Sequence, residues 1–156
     1  MPNNTLDRID HEILKALQAD ARIANVDLAD KVGLSASPCA RRVARLETAG
    51  IITRYATVID QKAVGLPVSV FVSVTLERQV EGALETFEAA VLRRPEVMEC
   101  YLMTGEADYL LRVVVADLDA YERFLIDHLT RVPGIANIKS SFALKQVAYR
   151  TELPLG

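Results

Sequence analysis

Apolar residues recur at Leu6, Ile9, Ile13, Leu14 and Leu17, which lays a single stripe along one helix. Asp7 and Asp10 fall in its first turn, where a carboxylate suits the positive end of the helix dipole. A second, short helix is expected to start at Asn25 as N-cap, to carry Val26, Leu28, Ala29 and Val32, and to stop at Gly33. Ser35 is expected to cap a third helix with Cys39, Val43 and Leu46 on one face and Gly50 at its end. Pro38 falls in the first turn, where a missing N–H costs little. Three helices with a short, Gly-containing turn between the second and third suggest a helix-turn-helix. The β-branched run Ile51–Ile59 then reads as a strand, placed to form a wing. Gln61–Pro67, punctuated by Gly65 and Pro67, reads as a linker.

Beyond the linker the pattern alternates between period two and period 3.6. Val68–Leu76 reads as a strand with Val68, Val70, Val72 and Val74 on one face, and Gly82–Leu92 as a helix with the stripe Leu84, Phe87, Val91. Val97–Thr104 and Ala107–Val115 read as strands flanking a turn at Gly105. Leu118, Tyr121, Leu125 and Leu129 mark another helix, and Ile135–Val147 a last strand. The order βαββαβ is the ferredoxin-like arrangement. The expected fold class is therefore α+β, with a winged helix-turn-helix domain over residues 1–60, a linker over 61–67 and a βαββαβ domain over 68–156. Phe71, Leu110 and Val114 make the second face of this sheet apolar too, which asks for a partner, most simply a second copy of the same sheet.

Composition narrows the function. The chain has 156 residues, 51% hydrophobic and 25% charged, an ordinary globular balance rather than that of a disordered chain. No apolar run approaches the roughly 18 residues of a membrane span, and the N-terminus has no basic and apolar leader. A soluble cytoplasmic protein that meets no membrane is expected. The two cysteines, Cys39 and Cys100, have no metal-ligand spacing, so neither a metal site nor a disulfide scaffold is expected. His11 and His128 lack a spaced nucleophile or carboxylate, and the seven glycines form no phosphate loop, so neither catalysis nor a cofactor is expected.

A net charge of −3 does not advertise a nucleic-acid partner, yet residues 1–60 are balanced at eight basic and eight acidic side chains. Position decides. At about 100° per residue, Ser37, Arg41, Ala44, Arg45 and Thr48 lie opposite the Cys39, Val43, Leu46 stripe, with Arg42 at the flank. Arginines among small residues on an exposed helix suit a major groove, where they meet phosphates or guanine edges. A plain solvated basic face is the competing reading for the helix alone. The preceding turn and the following strand favour DNA.

The chain also resembles a known family. Leu6-Asp7-Arg8-Ile9-Asp10, Asp20-Ala21-Arg22, Val32-Gly33-Leu34-Ser35, Arg45-Leu46-Glu47, Gly50-Ile51-Ile52 and Thr104-Gly105 with Asp108-Tyr109 are similar, in order, to the Lrp/AsnC (feast/famine) transcription regulators. The resemblance implies double-stranded DNA as partner, a small amino acid as effector, and homodimers assembling into octamers. A dimer in turn implies a palindromic site. Candidate DNA-binding residues are Ser35, Ser37, Arg41, Arg42 and Arg45.

The turn Thr104-Gly105-Glu106-Ala107-Asp108 fits an amino-acid effector, because glycine lets backbone amides approach a ligand and a carboxylate can meet an ammonium group. An ordinary hairpin turn with a solvated acid is the alternative. The resemblance brings Gly105 and Asp108 forward as effector positions, with Tyr101, Leu102, Met103 and Leu118 shaping the pocket. Val132, Pro133, Gly134 and Ser140 are candidate contributions from a neighbouring subunit. Where the family commonly has an aromatic residue before the aspartate, this chain has Ala107. Two rivals are an architectural DNA-binding protein of low sequence choice and a small-molecule binding module or enzyme built on the βαββαβ part.

Overall fold

Asp7 opens the first helix by accepting the Asp10 amide at 2.8 Å, and the Asp10 carboxylate accepts the Asp7 amide at 3.1 Å in return. This reciprocal cap satisfies two N–H groups that a helix start leaves without partners. In a computed structural model of the chain, which describes residues 5–156, it starts α1, Arg8–Ala19. α2, Asn25–Val32, and α3, Ala36–Thr48, complete a helix-turn-helix around Ile13, Leu14, Leu28, Ala29, Cys39 and Leu46. Gly33 closes α2 at φ 72°, a left-handed angle that glycine adopts without Cβ strain. Asn25 is not a cap. Ala24 holds that position, and the Asn25 side chain instead donates to the Ala36 carbonyl at 2.9 Å, tying α2 to the start of α3.

The expected strand at Ile51–Ile59 does not form. Ile51 and Ile52 turn back onto the helix end, both amides donating to the Leu46 carbonyl, and residues 53–60 join no ladder. A strand exists only where another completes its hydrogen bonds, and none among the described residues reaches this segment. Val58 and Ile59 stay largely exposed. The expected linker is a turn: Asp60 accepts the amides of Lys62 and Ala63, and Gln61 bonds Ser69.

The chain divides into two compact units. One runs up to Val58 and adds Val147–Gly156, and the other is Ile59–Gln146. The second contains β1 (Val68–Leu76), α4 (Glu81–Leu92), β2 (Val97–Leu102), β3 (Tyr109–Val115), α5 (Leu118–Asp127), a 3-10 turn at Leu129–Arg131 and β4 (Ile135–Phe142). Its antiparallel sheet has the order β2-β3-β1-β4, the ferredoxin-like topology. On the helix side Val70, Val72 and Val74 pair with Val113, Leu111 and Tyr109 beneath Phe87, Val91 and Phe124. Phe124 takes the place expected of Leu118, which is 64% exposed at the start of α5.

The other sheet face is less apolar than its pattern suggested. Arg112, opposite Phe71, donates to Glu99 at 2.9 Å, and serines 69 and 73 interrupt β1. The last strand ends at Phe142 rather than Val147. Val147–Gly156 belong to the first unit, where Leu155 packs against the three-helix core. Gln18 exchanges two hydrogen bonds with the Leu153 backbone, at 2.7 and 3.2 Å. The boundary at 156 expected for the second domain therefore falls ten residues earlier, at Gln146.

Leu155→Ala removes a half-buried apolar side chain from that core. We expect a loss of about 1–2 kcal/mol, seen as faster hydrogen exchange at α1 amides with β1 amides unchanged. Equal effects in both units, or none in α1, would contradict the assignment of the tail.

Candidate nucleic-acid interface and ligand hairpin

α3 turns Cys39 and Leu46 into the core and exposes Ser37, Arg41, Ala44 and Thr48, as the periodicity predicts. The three arginines are not equivalent. Arg42 donates through Nη1 to Asp7 Oδ2 at 2.7 Å and to Asp10 Oδ1 at 2.9 Å, while Arg45 donates through Nη2 to the same Asp10 oxygen at 2.6 Å. Arg41 alone of the three has no ion pair among the described residues. Ser35 sits at the N-cap of α3 without using its side chain there, so its hydroxyl is open beside Ser37.

Asp10 is fully buried, yet both its oxygens are occupied. Burial by itself raises a carboxyl pKa, but the hydrogen bonds from Arg45, the Asp7 amide and Arg42 outweigh it and hold Asp10 below the ordinary 3.8. Asp7 is lowered as well, first by the Asp10 amide and then by Arg42. The sequence held a signal for this: Asp10 precedes Ile13 by three residues and Leu14 by four, which puts an acid on the apolar face of α1. A charge there needs a cation from elsewhere in the fold. Which one was not legible.

At the β2–β3 hairpin Gly105 adopts φ 114°, and Thr104, Gly105 and Glu106 are exposed. No atom crowds the position of a Cβ at Gly105, so in this chain the backbone angle, not space, favours glycine. Asp108 points inward. Its carboxylate accepts the Leu76 amide at 2.7 Å and the Gln79 side chain at 2.5 Å, leaving it 5% exposed. Glu77 donates to the Gly134 carbonyl at 2.8 Å, which brings the Val132-Pro133-Gly134 turn to the same end of the sheet. Tyr101, Leu102 and Met103 present exposed apolar surface on the hairpin, and Ala107 is half-buried.

Two candidates stand apart. Leu118 follows β3 at its far end, about 20 Å from the hairpin at roughly 3.4 Å per strand residue. Ser140 pairs with Val72 in mid-sheet, and its hydroxyl bonds Tyr121. Gln79, the partner of Asp108, escaped sequence reasoning because nothing in its spacing marks it.

Burial pushes both the Cys39 and Cys100 thiols up, away from the thiolate form that reacts or ligates. Among the described residues no group of three His, Cys, Asp or Glu side chains could hold a metal. No helix there is long and apolar enough to cross a membrane.

A model described as winged helix-turn-helix DNA-binding matches residues 6–53, and one described as the Lrp/AsnC ligand binding domain matches residues 69–153. The chain belongs to the Lrp/AsnC family. It is a DNA-binding transcriptional regulator with a ligand-binding domain. It is 52% identical over 150 residues to the Bkd operon transcriptional regulator of Pseudomonas aeruginosa, spanning 96% of this chain and 98% of that one. It is 40% identical to the leucine-responsive regulatory protein of Escherichia coli K12, over 97% of this chain and 93% of that one. Among solved structures, a Neisseria meningitidis transcriptional regulator in complex with L-Met superposes with a TM-score of 0.91 at 42% identity, covering 97% of both chains. AsnC of Escherichia coli superposes with a TM-score of 0.86 at 28% identity, over 95% of this chain and 98% of that one. The Lrp/AsnC relatives are transcriptional regulators; the first matched segment lies within the helical unit, and the second covers the sheet and runs on into the tail assigned to the first unit.

Because Asp7 and Asp10 titrate lower in the folded chain than in the unfolded one, their stabilisation is complete above the ordinary 3.8 and is lost as pH falls through the folded values. Thermal unfolding followed by helical circular dichroism should therefore show a steep acid decline below about pH 4. In Asp10→Asn that decline should be shallower. An unchanged acid decline in Asp10→Asn would contradict the ion-pair account.

Proposed function

We propose that α3 reads the major groove. Arg41 contacts DNA directly, Ser35 and Ser37 bond the backbone at the helix start, and Arg45 reaches DNA with the N–H groups that Asp10 leaves open. Arg42 serves from the flank, holding α3 to α1. The observation that carries this reading is Arg41: an exposed guanidinium with no ion pair among the described residues, on the outward face of the second helix of a helix-turn-helix. Two copies related by a two-fold axis present two such helices, so the preferred site is palindromic with half-sites about 34–36 Å apart. Homodimers assembling to an octamer are the proposed form, acting in the cytoplasm without catalysis of its own.

The effector we propose is a free amino acid with an apolar side chain, bound at the hairpin end of the sheet. The exposed Thr104–Glu106 backbone supplies donors for a carboxylate, and Tyr101, Leu102 and Met103 supply apolar surface. The L-Met bound by the Neisseria relative is an amino acid of this class. Asp108 supports the site by fixing the hairpin against Leu76 and Gln79. The Val132-Pro133-Gly134 turn lies close enough to extend it. Leu118 and Ser140 would enter only from another subunit.

Arg41→Ala is expected to flatten the dependence of log affinity on log salt by roughly one unit while leaving the melting temperature unchanged. A wild-type salt slope in that variant would move the reading elsewhere. A duplex selected from random-sequence DNA should outcompete random duplex, whereas equal affinity would favour an architectural role. In a thermal-shift series over the twenty amino acids, an apolar one at about 100 Kd should stabilise the protein by about 2.7 kcal/mol. Gly105→Val should lose that shift, because valine resists the φ of 114° and blocks close approach to the amides. Asp108→Ala should lower the melting temperature. A full ligand shift in Gly105→Val would remove the hairpin from the site.

A further inference from the structure

The four charges that meet between α1 and α3 cancel: Asp7 and Asp10 against Arg42 and Arg45. Nonspecific DNA binding is driven by cations that neutralise phosphates and release counterions, regardless of sequence. An α3 with three unpaired arginines would bind any duplex strongly. Asp10, with Asp7, leaves Arg41 as the one arginine of the three without an ion pair among the described residues. It also treats its two partners differently. Arg42 keeps 28% of its side chain exposed and is held by one nitrogen bridging both acids, whereas Arg45 keeps 46% exposed and is held at Nη2 only. The rest of the Arg45 fork remains available, but from an anchored position. A planar guanidinium fixed at one end offers its other donors in a defined direction, the condition for bidentate readout of a base edge.

We propose that Asp10 is a positioning residue that sets the sequence specificity of this regulator: it withdraws charge that would serve any phosphate and holds Arg45 in one pose for base readout. The proposal rests on the DNA reading of α3. It distinguishes Asp10 from an ordinary structural clamp, which would affect stability and nothing else. Asp7 contributes in the same sense through Arg42 alone.

The test is made on the full chain with Asp10→Asn, and with Asp7→Asn, whose exposed N-cap position accepts asparagine as well as aspartate. Affinities for a duplex selected by wild-type protein from random-sequence DNA, and for a random duplex of equal length, are measured across a salt series. Helical circular dichroism establishes folding. Asp10→Asn is expected to bind random duplex more tightly and to steepen the log affinity–log salt slope by about one for each arginine released. The ratio of selected to random affinity should fall about tenfold, as expected when one well-placed base contact is lost. Asp7→Asn should move the same quantities in the same direction by less. A folded Asp10→Asn with unchanged slope and ratio overturns the proposal. If Asp10→Asn fails to fold, Asp7→Asn decides: a shifted slope and ratio support it, and wild-type values overturn it. A wild-type chain that selects no sequence overturns the DNA reading and this proposal together, whereas an unaltered variant beside a selective wild type overturns this proposal alone.

Discussion

A carboxylate buried in an apolar core is tolerable only when its charge is matched, since the effective penalty for an unpaired buried ion is several kcal/mol. Asp10 stands in that position, on the core face of α1, and its two ion-pair partners both come from α3. The orientation of α3, the proposed recognition helix, therefore follows from how a single acid is satisfied. Apolar packing of Cys39 and Leu46 fixes which face of α3 is inward. It leaves sliding and rotation of the helix comparatively free, because apolar contact is not directional. Hydrogen bonds from two guanidiniums to one oxygen are directional, and they remove that freedom.

The second unit repeats the device with different chemistry. Asp10 and Asp108 are the buried charged residues described, and each fixes an element on which a proposed site rests. Asp108 ties the β2–β3 hairpin to the end of β1 through a backbone amide and to the following loop through Gln79. The exposed residues Thr104–Glu106 thus hang from a rigid corner rather than a free loop. A ligand site assembled on such a corner loses little freedom when occupied, which favours affinity. The same corner meets Gly134 through Glu77, so ligand contacts there can reach two connections of the sheet.

Much of this is legible in the sequence itself, because periodicity reports burial directly. β1 runs over the predicted Val68–Leu76, α4 differs from its predicted start by one residue, and the βαββαβ order holds. What periodicity could not show were partners distant in sequence. The acid at position 10 was visible as a dipole-suited residue, but not as the counter-ion of residues 42 and 45. The β-branched run after α3 carried strand propensity without a partner, and propensity alone does not make a ladder. The C-terminal tail looked like part of the last strand, and only the docking of Leu155 and the Gln18–Leu153 bonds assign it to the helical unit. The glycine turn between β2 and β3 is legible in the sequence, whereas the direction of the Asp108 side chain depends on Leu76 and Gln79, which no local pattern connects to it.

A structure of the chain bound to a duplex it has selected tests the central claim most directly. The account predicts Arg41 against DNA, Arg42 still bridging Asp7 and Asp10, and Arg45 retaining its Asp10 bond while its remaining donors meet a base edge. Arg45 released from Asp10 to contact a phosphate, or Arg41 turned away from DNA, would contradict it.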